Sequence, residues 1–168
     1  MICFEISGAS HSALFEYDGS FHVLNMTEAQ DFNEFDGQSF EALEVRKDID
    51  GTPMPQYGLT EELGALVVDE AHAPVVREAL CQGGARIAEA SFVSQFGEYR
   101  GFRAFNLYED SPQAPVFRTR TTPSNPDLWM EQFYTPQFVE WLQANFDTRG
   151  VSITRVERDP YFYRPDRK

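Results

Sequence analysis

Apolar and polar residues alternate at the start of the chain, with Ile2, Phe4 and Ile6 on one side and Cys3 and Glu5 on the other. A period of two predicts a β-strand. Ala13–Tyr17 and Ser20–Leu24 flank Asp18-Gly19, a pair suited to a type I′ hairpin because both central residues need positive φ. Leu66-Val67-Val68 is a continuous apolar run and predicts a buried strand. Val75, Val76, Ala79 and Leu80 then share one face of a helix near 74–82, which Gly83-Gly84 is expected to end. A helix starting at Asp69 would lose a backbone hydrogen bond at Pro74, which favours a shorter helix beginning near that proline. Arg86–Ser94 and Gly101–Tyr108 read as strands joined around Gly97 to Arg100. Pro112, Pro115, Pro123 and Pro126 punctuate a loop-rich stretch holding a strand at Val116–Thr121. Thr135 and Pro136 suit the N-cap and first position of a helix near 136–147, whose stripe is Phe138, Trp141, Leu142 and Phe146. Gly150 closes it, and Val151–Val156 returns as a strand.

The last two helical units resemble each other. Each reads strand, polar cap, helix, glycine, strand. Asp69 to Gly84 and Thr135 to Gly150 have the same spacing, and Ile87 then matches Ile153. The expected fold is therefore α+β, with a mixed or antiparallel sheet, two principal helices and a duplicated strand–helix–strand unit. One domain spans 1–168: an acidic part at 1–60, the duplicated core at 61–157 and a tail at 158–168. Hydrophobic residues make up 42% of the chain, enough to bury a core, so acidity is not a sign of disorder.

Charge changes the picture most. The net charge is −13, and residues 1–70 hold 15 acids against Arg46 and Lys47, so that part alone accounts for it. The remaining residues balance, with 12 acids and 12 bases. Such a field repels nucleic acid and anionic lipid and attracts basic surfaces. Residues 28–50 concentrate it in Glu28, Asp31, Glu34, Asp36, Glu41, Glu44, Asp48 and Asp50, with Phe32, Phe35 and Phe40 among them and no clean period. The expected partner-binding residues are Asp31, Phe32, Glu34, Phe35, Asp36, Phe40, Glu41, Glu44, Asp48 and Asp50. The carboxylates would steer association, and the rings would serve as apolar anchors. The competing role for each phenylalanine is the protein's own core. Arg149 to Lys168, with Tyr161, Phe162 and Tyr163, is the one basic patch, expected to pack over the acidic half or to fray.

Motifs for chemistry are sparse. Asp69-Glu70-Ala71-His72 after an apolar strand resembles the DEAH box of RNA helicases, but no G-x-x-x-x-G-K-[ST] loop accompanies it. It reads instead as a helix start, with Asp69 as a cap and Glu70 in the first turn. His11, His22 and His72 with Cys3 and Cys81 form no metal-ligand pair. Both cysteines read as small core residues in a reducing compartment. There is no nucleophile elbow, no dinucleotide fingerprint and no apolar run long enough to span a bilayer. The expectation is a cytoplasmic protein with no cofactor or metal and no catalytic residues.

The paired pattern at Leu66-Val67-Val68-Asp69 with Gly84 and Ile87, and at Phe133-Tyr134-Thr135-Pro136 with Gly150, Val151 and Ile153, resembles immunity proteins of bacterial polymorphic toxin and contact-dependent secretion systems. The resemblance covers about a third of the chain as a pattern and departs from it at Pro74 and Gly83-Gly84. It implies binding and blocking of a cognate toxin by occupation, through the acidic surface. Two other readings are a nucleic-acid mimic that inhibits a DNA-processing enzyme, and a small enzyme whose site forms only in three dimensions.

Overall fold

A computed structural model describes residues 1–9, 15–16, 32–41, 44–45, 49–52, 55–62, 64–94, 97–119 and 132–157. The fold is α+β, with one four-stranded and one five-stranded sheet. The described strands are β1 (Ile2–Gly8), β2 (Phe15–Glu16), β3 (Ser39–Glu41), β4 (Glu44–Val45), β5 (Leu59–Glu62), β6 (Ala65–Asp69), β7 (Ile87–Ser94), β8 (Gly97–Ala104), β9 (Val116–Arg118), β10 (Gln132–Tyr134) and β11 (Val151–Glu157). The helices are α1 (Phe32–Phe35), α2 (Ala73–Leu80) and α3 (Pro136–Asn145).

The duplication is visible in the topology. In the first unit β5, β6, α2, β7 and β8 follow in sequence, and the strands lie in the order β5-β6-β8-β7. Both β6 and β7 run antiparallel to β8, so they are parallel to each other with β8 between them. In the second unit β9, β10, α3 and β11 follow in sequence, in the order β9-β10-β1-β11. Here β10 and β11 both run antiparallel to β1. The N-terminal strand β1 thus fills the central place that β8 holds in the first unit. Each helix is followed by a 3₁₀ turn, Gln82–Gly84 or Thr148–Gly150. The paired glycines therefore close these turns rather than the helices, a correction to the expected stops.

Leu66-Val67-Val68 reads as an unbroken apolar run because β6 is buried on both faces. Leu66 and Val68 face a core shared by both sheets and both helices, with Val76, Leu80, Phe138, Leu142, Ile6 and Val151. Val67 faces a second cluster with Ala65, Ala88, Ala90, Phe92 and Tyr99. Gly101 lies in that cluster, where a Cβ would collide with the Phe92 ring. Cys3, Phe117 and Phe133 form a third cluster in the four-stranded sheet.

Several expectations are corrected. Val75 is exposed, and Ala73 takes its place on the buried face of α2. The α2 helix starts beside Pro74 with His72 as N-cap, so Asp69 caps the preceding turn instead: its Oδ1 accepts from His72 N at 3.0 Å. Gly97 to Arg100 belong to β8, which ends at Ala104, short of Tyr108. Cys3 is buried but Cys81 is exposed. The Asp18-Gly19 hairpin turn and the tail at 158–168 lie outside the described residues. Phe15–Glu16 pairs with Glu44–Val45.

Candidate functional site

The acidic segment is fixed to the five-stranded sheet by its phenylalanines. Phe35 and Phe40 are only 3% and 7% exposed. Their ring centroids lie 6.0 Å apart, and Phe40 sits 5.2 Å from Phe92. These two rings are therefore core residues and cannot insert into a partner, which corrects their expected role as anchors. Phe32 is half-buried, edge-on to Phe105 at 5.4 Å, with the Arg86 guanidinium 4.4 Å above its ring. The backbone is tied as well. Gly37 N donates to Glu89 O at 2.7 Å, Ser91 N donates to Gln38 O at 2.8 Å, and β3 runs parallel to β7.

Asp36 and Asp50 are exposed. Asp36 also accepts from Glu89 N at 2.9 Å, so its carboxylate helps dock the segment. Glu34, Glu41 and Glu44 occupy backbone positions in α1, β3 and β4 respectively. Asp31 and Asp48 lie outside the described residues, as do His11 and His22. The candidate face thus consists of a buried aromatic footing with the exposed Asp36 carboxylate beside it.

The helicase-like tetrapeptide is engaged in structural contacts. Glu70 accepts from Arg100 Nε at 2.6 Å, and this guanidinium holds its carboxyl below the usual range. Arg100 also donates to Ser91 Oγ, and Arg77 donates twice to Glu89 at 2.5 and 2.6 Å. This ladder joins α2, β7, β8 and the turn after β6. Asp69 Oδ1 lies 2.6 Å from His72 Nδ1, and the His72 ring packs against Phe146. Glu70 is therefore outside the first turn of α2, contrary to expectation.

A second arrangement lies where β1, β5 and β10 converge, around a cleft of about 220 Å³. Behind it two guanidinium groups are buried, Arg103 at 6% and Arg118 at 1% exposure. Burial lowers Arg103 to about 10. Burial, then repulsion from Arg103, lowers Arg118 to about 9. Glu61 provides the nearby countercharge. Its carboxylate accepts from Gly64 N at 2.6 Å and Gly8 N at 3.3 Å, yet burial raises its pKa against these and Arg103. Gln132 Oε1 accepts from Ala104 N at 2.6 Å, and its Nε2 donates to the Tyr134 hydroxyl. Burial raises the Tyr134 phenol, which remains neutral at physiological pH. Sequence reasoning missed this cluster. The available signal was a charge inside each apolar strand, at Phe102-Arg103-Ala104 and Val116-Phe117-Arg118.

No described helix is long and apolar enough to cross a membrane. No protein-family model, curated protein or solved structure matches the chain.

Proposed function

We propose that this chain binds a protein with a basic surface and blocks it by occupation, as a toxin-neutralising immunity protein of the cytoplasm. The observation that carries the reading is the aromatic footing of the acidic segment. Phe35 and Phe40 fix α1 and β3 to the sheet, so the backbone that bears Glu34, Asp36 and Glu41 is in place before a partner arrives. A preordered charged rim speeds encounter and loses less entropy on binding than a flexible one. The duplicated strand–helix–strand topology supports the family resemblance. The net charge of −13 suits partners that act on nucleic acid and are basic at their active sites.

The test is capture of the partner from the native cell, followed by two assays. The captured protein should kill or arrest cells lacking this chain, and co-expression of the chain should protect them. Toxicity that the chain leaves unchanged overturns the proposal.

A further inference from the structure

A cleft of about 480 Å³ opens between α2, α3 and the loop that precedes β9. The turn after α2 contributes Gln82 to its lining, the loop contributes Gln113, and α3 contributes Gln137 and Trp141. The loop is tied to both neighbours. Ser111 Oγ donates to Gly84 O at 2.9 Å, and Thr135 N donates to Pro115 O at 2.9 Å. A Cβ on Gly83 would collide with the Gln113 carbonyl, so turn and loop meet backbone to backbone. The walls are therefore in place before a ligand arrives, which lowers the cost of ordering them on binding.

No residue lining this cleft is ionisable, although 24% of the chain is charged. An ionic ligand would leave water there without a countercharge, so the lining favours a neutral one. Gln82, Gln113 and Gln137 are exposed, and no other described residue engages their side-chain amides. Each amide offers two donors and an acceptor, and hydroxyl groups, which both donate and accept, match it in either orientation. Trp141 is half-buried, its ring held by Phe138 at 5.5 Å and Phe146 at 5.7 Å. Its indole adds a broad apolar surface to the lining. A neutral ring with hydroxyls at its edge and C–H groups on its face meets both requirements.

We infer that this cleft binds a neutral pyranose sugar, packed against Trp141 and hydrogen-bonded to Gln82, Gln113 and Gln137. The inference does not rest on the protein-partner reading, because α2 and the acidic segment pack on opposite faces of the five-stranded sheet. Glucose, galactose, mannose and N-acetylglucosamine are the probes, with glucuronate and adenine as controls at matched ionic strength. Binding is read by NMR at the Trp141 indole N–H and the Ala114 amide of the full chain.

At least one of the four sugars should shift both resonances saturably, with a Kd on the order of millimolar. Glucuronate and adenine should each bind more weakly than that sugar by roughly tenfold or more. Gln113→Ala and Gln137→Ala alter exposed side chains, so both variants should fold as the native protein does. Each should weaken sugar binding by roughly fivefold, the usual effect of one lost hydrogen bond. No saturable shift with any of the four sugars, either control binding as tightly as the best sugar, or undiminished binding in both glutamine variants overturns the inference.

Discussion

Single side chains decide what the acidic segment can do. Phe35→Ala and Phe40→Ala remove rings that are almost wholly buried, so each should lower stability by about 3–5 kcal/mol. Thermal unfolding measures this directly, and an unchanged midpoint contradicts their placement in the core. Glu61 gives a prediction in pH. Its folded pKa is raised above the ordinary value near 4.5, chiefly by burial. The protonated form is thus favoured in the folded protein. The associated stability is complete below the unfolded value and is lost as pH rises through the folded one. Relative to Glu61→Gln, the native protein should lose stability across that rise, as followed by urea midpoints from acid to neutral pH. Parallel curves for the two proteins contradict the shift. Neither ring could be assigned from sequence, because a four-residue helix and a three-residue strand leave no period to read. Arg103, Gln132 and Tyr134 were hidden for another reason: strands far apart in the chain bring them together.

Elements were more legible where one pattern ran long enough. The stripe of α3 comes from Phe138, Val139 and Leu142, and Thr135 Oγ1 accepts from Phe138 N at 3.4 Å. Leu142→Ala should cost about 2–5 kcal/mol, since the residue is fully buried. Thr135→Ala should cost only about 0.5–2 kcal/mol, the usual loss of a cap. Comparable losses in the two variants would contradict the packing described for α3. The start of α2 was less legible, because Asp69 ends β6 and Pro74 lies five residues further on. Its carboxylate serves the turn to His72, and Pro74 sets where the helix begins. The alternation Ile2-Phe4-Ile6 identified β1, but nothing local could show that it lies between β10 and β11.

At the scale of the molecule, both halves share one core although they are assembled differently. The first unit uses four strands consecutive in sequence, whereas the second borrows β1 from the start of the chain. The acidic segment attaches to the first unit, opposite the face that carries α2. Repulsion within a chain of net charge −13 destabilises the folded state at low salt and is screened as salt rises. Steering of a basic partner should move the other way and weaken with salt.

The most direct test of the central claim is the association rate of the captured partner, measured by stopped flow against ionic strength. The variant should reverse Asp31, Glu34 and Asp50 to lysine and retain Asp36, whose carboxylate holds Glu89 N. The native protein should associate faster by roughly tenfold or more at low salt, and its rate should fall steeply as salt is added. The triple variant should associate slowly with a flat salt dependence while remaining folded by circular dichroism. Equal association rates and equal affinities at low salt would contradict the account and leave the acidic segment without a role in binding.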